Sequence, residues 1–162
     1  IEKAREIGLV GMAARACGLN LDSRFDFADE CFKSLALPRK IFKGTGDVNS
    51  RFQLRYQETM ESLSISKRIL AMLKNPSKDE LLAPCTNKVS ANSLAISITE
   101  GWRGEVVHIA LTDANSNLTR YKIKDPSFNN WYGLALAVRN NGVSDFPLCN
   151  KSFNLSYCGN DL

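Results

Sequence analysis

The sequence predicts an α+β fold: a helical first half with one long helix, then a small antiparallel sheet plus a helix and an extended C-terminal tail. Three observations carry the prediction. Val48, Phe52, Tyr56, Met60, Leu63, Leu70 and Leu73 recur three, four or seven residues apart, as on one face of a helix. From residue 94 the apolar period falls to two, with Leu94, Ile96 and Ile98 alternating with small or polar residues. Between the halves, Pro76, Pro84 and several polar residues mark a connector. Residues 1–162 therefore read as one unit, helical over 1–75, connected through 76–92, with sheet and helix over 93–162.

Taken in order, Ile1, Ala4, Ile7 and Leu9 open in a helical pattern that Gly8 and Gly11 interrupt. The start inside a helix, without an initiator Met, suggests the C-terminal portion of a longer polypeptide. Residues 18–46 look irregular, with one short helix over Ala28 to Leu35. The long helix is expected from Val48 to Lys74, capped by Asp47 and ended by Asn75-Pro76. Its apolar stripe should pack in the core, so Met60→Asp should destabilise strongly. Three strands follow, near Leu94–Ile98, Val106–Leu111 and Tyr121–Ile123, the last two joined by a polar loop, Asp113 to Asn117. Asp125-Pro126 opens a helix over about 128–140, and Phe153, Leu155 and Tyr157 alternate in an extended tail.

Composition narrows the function. With 44% hydrophobic and 23% charged residues, the chain can build one core and is not globally disordered. No apolar run reaches the roughly 18 to 20 residues of a membrane span. Net charge is +4, and the surplus is spread thinly over residues 1–92, too dilute for a nucleic-acid face. The five cysteines, at 17, 31, 85, 149 and 158, form no Cys-x-x-Cys and read as free thiols in a reducing compartment. His108, the one histidine, sits in an apolar strand and reads as structural. Neither a phosphate-binding loop nor a nucleophile elbow is present, so no self-sufficient active site is legible.

Four clusters remain. The first is Gly11…Arg15-x-x-Gly18…Asp22-x-Arg24, which a helix stopped by Gly18 and an Asp22–Arg24 pair would also explain. The second is Gly46-Asp47-x-x-x-Arg51-x-x-x-Arg55-x-x-Glu58-x-x-x-Ser62, where Arg51, Arg55, Glu58 and Ser62 share a helix face distinct from the apolar stripe. That face is either solvated, with Glu58 as counter-ion, or a buried charge set facing an electronegative cofactor or a partner loop. The third is Asp125-Pro126-Ser127-Phe128-Asn129-Asn130-Trp131, and the fourth is the tail from Asp145.

In this order the clusters resemble the C-terminal half of the large subunit of group 4 (energy-converting, formate-hydrogenlyase-like) nickel–iron hydrogenases and of the 49-kDa subunit of respiratory complex I. Glu100-Gly-Trp-Arg-Gly-Glu105 is similar to the family's Gly-Glu hairpin. Nickel-bearing members carry Asp-Pro-Cys-x-x-Cys, whereas Ser127 and Asn130 stand at those two positions here. Hydroxyl and amide cannot replace bridging thiolates for nickel and low-spin iron. The resemblance therefore implies a cysteine-less variant with no metal of its own, Ser127 and Asn130 being vestigial metal positions.

It further implies a peripheral subunit of a membrane-associated oxidoreductase complex, NADH:quinone oxidoreductase-like or hydrogenase-like, on the cytoplasmic side. A small iron–sulfur subunit would be the direct partner and would carry the cluster, membrane subunits would be indirect partners, and electrons would pass towards a quinone-type or vestigial nickel–iron site at the interface; quinone binding and NAD binding are functions of such complexes. Arg15, Asp22, Arg24, Asp47, Arg51, Arg55, Glu58 and Asp125 are the expected cluster- or cavity-facing residues. Ser127 and Asn130 should share a polar cleft with the helix of Arg51 and Arg55. The alternatives are an assembly module without redox chemistry, and a true nickel–iron hydrogenase, which Ser127 and Asn130 disfavour.

Overall fold

The computed structural model describes residues 1–73 and 89–161. The expected helix stop at Asn75-Pro76, Cys85 and most of the connector lie outside the described residues. The opening helical pattern is two short helices, α1 (Glu2–Glu6) and α2 (Gly11–Ala16). Gly8 and Gly11 divide them by taking φ of 68° and 60°, open to glycine and strained for other residues. Asp22 caps a further helix, α3 (Ser23–Asp26), inside the stretch that reads as irregular, and Asp29 caps α4 (Glu30–Ser34), the short helix expected over Ala28 to Leu35. The long helix is α5 (Val48–Met72), and the Asp47 carboxylate accepts from the Ser50 amide at 2.7 Å.

The orientation of α5 corrects the sequence expectation. Phe52, Tyr56, Met60, Leu63, Leu70 and Leu73 are 49–67% exposed, so the apolar stripe faces outward. The buried face carries Ser50, Arg51 and Leu54, continued by half-buried Arg55 and Glu58. Hydrophobicity alone would turn the helix the other way. What holds it is polar: Arg51, Arg55 and Glu58 find partners on α2 and near the C-terminus.

The sheet runs β1 (Leu94–Gly101), β2 (Gly104–Thr112), β3 (Leu118–Lys124), antiparallel in that order. A two-residue Trp102-Arg103 turn joins β1 to β2, with Gly101 opposite Gly104. In the second loop the Asp113 carboxylate accepts from the amides of Asn115 and Asn117, both at 2.8 Å. The hairpin tip docks on α2 through two glycines. A Cβ on Gly11 would stand 2.2 Å from the Gly104 Cα, so only backbone fits there.

Helix α6 (Pro126–Ala137) starts at the expected Asp-Pro turn. The tail is a second correction: it is not extended but forms α7 (Phe146–Phe153) between two 3-10 turns. Pro147 lies in its first turn, and Cys149, Ser152 and Phe153 bury one face at spacings of three and four. Asn154, in the left-handed region at φ 54°, ends it and returns Leu155 to the core. The main core gathers Leu9, Ala14, Leu19, Leu134, Phe153 and Leu155, and a smaller one joins Met12, Ala16 and Leu54.

Candidate functional site

Helix α2 places Arg15 at the junction of α5 and the hairpin. Its Nε and Nη2 donate to Glu58 Oε1 and Oε2 at 2.6 and 3.1 Å, and its Nη1 donates to Glu100 Oε1 at 2.6 Å and to the Leu21 carbonyl at 3.0 Å. Glu100 also accepts from the Ser23 amide at 3.0 Å. Asp22 caps α3 and accepts from Arg24 Nε and Nη2 at 2.9 and 2.6 Å. Burial pushes the Asp22 carboxyl up, but hydrogen bonds from Arg24 and the charge of Arg15 outweigh it and hold the group below the usual carboxylate range. Burial likewise opposes the charge on Arg15, and Glu58 and Glu100 together keep its pKa above the ordinary value. In the second cluster Arg51 is buried, Arg55 and Glu58 are half-buried and Asp47 and Ser62 are exposed, and Glu58 neutralises Arg15 of the first cluster. The Asp22–Arg24 pair and the helix stop at Gly18, φ 82°, are present as well.

Two clefts flank this network. One, of about 510 Å³, is lined by Arg15, Asp22, Arg24, Lys40, Glu58 and Glu61 among others. The other, of about 240 Å³, lies between Arg15, Arg24, Glu58, Ser62, Glu100 and Trp102. Lys40 and Glu61 form an ion pair beside the larger one.

One turn along α5, Arg51 and Arg55 differ in kind: among the described residues every hydrogen-bond acceptor they reach is neutral. Arg51, 3% exposed, donates to Ser152 Oγ at 2.9 Å, the Gly46 carbonyl at 2.5 Å and Cys149 Sγ at 3.8 Å. Its guanidinium lies 4.1 Å from the Phe153 ring centroid. Arg55 donates to the Ser152 carbonyl at 2.5 Å and lies 5.7 Å from the Trp102 centroid, while its buried Nε has no acceptor among the described residues. Burial pulls both pKa values down. The Cys17 thiol is pushed up by burial, against the charge of Arg51.

Asp125 caps α6 by accepting from the Ser127 amide at 2.7 Å. Ser127 and Asn130 are fully buried and occupied. Ser127 Oγ accepts from the Ser156 amide at 3.0 Å. Asn130 Oδ1 accepts from the Val10 amide at 3.1 Å, and its Nδ2 donates to the carbonyls of Val10 and Arg103 at 3.3 and 3.2 Å. A hydroxyl and an amide, both committed to backbone, do not fit a nickel–iron centre. They line neither cleft beside Arg15, and among the described residues the hydrogen-bond partners of Arg51 and Arg55 include Ser152 and Cys149 but not Ser127 or Asn130. Asp47 and Asp125 act as helix caps.

A chain of the membrane-bound sulfane sulfur reductase, an archaeal respiratory membrane complex, superposes with a TM-score of 0.83 over 97% of this chain and 43% of that one, at 20% identity. The chain belongs to the family of the respiratory-chain NADH dehydrogenase 49 kDa subunit, whose family model matches residues 1–94. It is 32% identical over 141 residues to hydrogenase-4 component G and 30% identical over 162 residues to formate hydrogenlyase subunit 5, both of Escherichia coli. It is 27% identical over 167 residues to NADH-quinone oxidoreductase subunit 4 of Thermus thermophilus. These matches cover 86%, 99% and 89% of this chain, which spans only 24%, 27% and 41% of the three relatives.

Proposed function

We propose that the chain is part of the large subunit of a membrane-associated oxidoreductase complex, lying against a small iron–sulfur subunit and holding no nickel–iron centre at its Asp-Pro turn. Electrons from that partner pass to a quinone-type acceptor, or toward a vestigial metal cavity, at the interface between the two subunits. The placement is peripheral and cytoplasmic. Among the described residues no helix is long and apolar enough to cross a membrane.

The observation that carries the reading is the pair Arg51 and Arg55, cations whose hydrogen-bond acceptors among the described residues are all neutral. Asp47 and Glu58 act on them only through space, and burial opposes both charges. The field of such incompletely compensated cations favours negative charge arriving nearby. The clefts beside Arg15 and Arg24 supply room for an acceptor, and the quinone assignment draws on the named NADH-quinone oxidoreductase relative.

The test is a redox titration of the intact complex carrying Arg55→Gln, followed by the electron paramagnetic resonance of its iron–sulfur signals. The nearest cluster should shift to a more negative potential while subunit composition stays unchanged. Unchanged potentials in an intact complex would favour a purely structural or assembly role. Stoichiometric nickel bound to this polypeptide would overturn the assignment of the Asp-Pro turn.

A further inference from the structure

Among the described residues, one face of the sheet is apolar, exposed at the end away from the body, and edged with positive charge. Register places Leu94 opposite Leu111, Ile96 opposite Ile109 and Ile98 opposite Val107, three apolar cross-strand pairs on one side. Leu94 and Ile96 are 60% and 57% exposed. The next strand sets Arg120, Lys122 and Lys124 opposite Leu111, Ile109 and Val107, so a file of cations borders the same face. Of the three, only Lys124 has a carboxylate among the described residues, Glu105 at 3.1 Å. The reverse face is mixed: Ser97, Thr99 and the hydrogen-bonded pair His108–Tyr121 stand among Ala95, Val106, Ala110 and Ile123.

The sheet meets the body at its Glu100–Glu105 end, through the Gly11–Gly104 approach and the Arg15–Glu100 pair. Alternating strands normally turn their apolar side to a core, and here that side projects beyond the body. We propose that this face is a docking site for an amphipathic helix of another protein subunit, apolar on one side and bearing carboxylates that meet Arg120 and Lys122.

Size and charge select that occupant. Three strands span about 10 Å, the diameter of a helix, and the apolar pairs run about 14 Å along the strands, room for two to three helical turns. A second copy of the chain would present the same cations to Arg120 and Lys122, so self-docking on this face is repulsive. A membrane surface fits less well. The six apolar residues include no aromatic anchor, and Glu105 lies on the same side.

The inference is independent of where electrons go, and its test reads contact. A photo-crosslinking residue replaces Ile96 in the native complex, with Ser97, on the reverse face, as control. The expected product joins position 96, and not position 97, to one segment of a different polypeptide containing Asp or Glu. Arg120→Glu with Lys122→Glu should lower that crosslink at least tenfold, and Glu→Lys exchange in the captured segment should restore it. Crosslinks to lipid, to another part of this chain or to a second copy would overturn the proposal. So would equal yields from 96 and 97, or a crosslink indifferent to the charge reversal.

Discussion

Arg15 and Glu58 face each other across α2 and α5 as a bidentate pair, Nε to Oε1 at 2.6 Å and Nη2 to Oε2 at 3.1 Å. This geometry locks the long helix to the body and helps keep its polar face inward. Glu58→Ala leaves Arg15 buried with Glu100 as its main counter-ion. Stability should fall by about 3 kcal/mol in urea unfolding, the lower end for removing one partner of a buried pair. Glu58→Gln, which keeps an acceptor, should lose less. A loss near zero for Glu58→Ala would mean that solvent, not Glu58, stabilises Arg15.

Asp22 gives the pair network a pH dependence. Its folded pKa lies below the ordinary value, so its contribution is present above the unfolded value of about 3.9 and is lost as pH falls through the folded one. Asp22→Asn should therefore be less stable than the native chain at neutral pH, with the gap closing below about pH 4. Urea midpoints measured across the acid range check this. A gap that stays constant would remove Asp22 from the acid transition.

Asn130 ties three backbone groups together. Asn130→Leu keeps the volume but strands the Val10 amide and the Arg103 carbonyl, while the Val10 carbonyl keeps the Ala14 amide. Each orphan costs about 1 to 3 kcal/mol, so a loss of about 2 kcal/mol or more is expected in thermal or urea unfolding. Ser127→Ala strands only the Ser156 amide and should cost about 1 kcal/mol. Equal effects from the two would mean that the Asn130 bonds are not formed in solution.

The inverted helix reverses a mutational expectation. Met60 is half-exposed, so Met60→Asp should change the stability of the isolated chain by no more than about 0.5 kcal/mol. Leu54→Asp, on the buried face, should cost several kcal/mol, on the order of 3 or more. Comparing the two by circular dichroism melting separates the faces. Strong destabilisation by Met60→Asp would restore the inward stripe.

The existence of α5 was legible from seven apolar residues, but its orientation was not. Local periodicity reports which residues share a face, while the choice of face was made by Glu58 meeting Arg15 and by Arg51 meeting Ser152. Ser152 lies 101 residues from Arg51, beyond any local pattern. The tail misled for a related reason. The period of two at Phe153, Leu155 and Tyr157 overlaps a helical spacing at Cys149, Ser152 and Phe153, and Asn154 joins the two conformations. Glu100 was visible within its Gly-Glu hairpin but was not among the expected site residues, because a strand carboxylate shows no sign of its partner. At Ser127 and Asn130 the residue types already spoke against thiolate chemistry, but only the fold shows them engaged by Ser156, Val10 and Arg103.

The tie between Asn130 and Val10 joins positions 120 residues apart, and the Arg15–Glu100 and Arg51–Ser152 bonds span 85 and 101. Such closures carry their entropy penalty before any contact rewards them. During synthesis the first half therefore leaves the ribosome with Arg15 lacking Glu100 and with Arg51 lacking Ser152. Helices α1 to α5 cannot settle on their final neighbours until the hairpin, α6 and α7 have been made. Folding of this chain is in that sense read from its far end: residues from Glu100 onward decide when Val10, Arg15 and Arg51 reach their final packing.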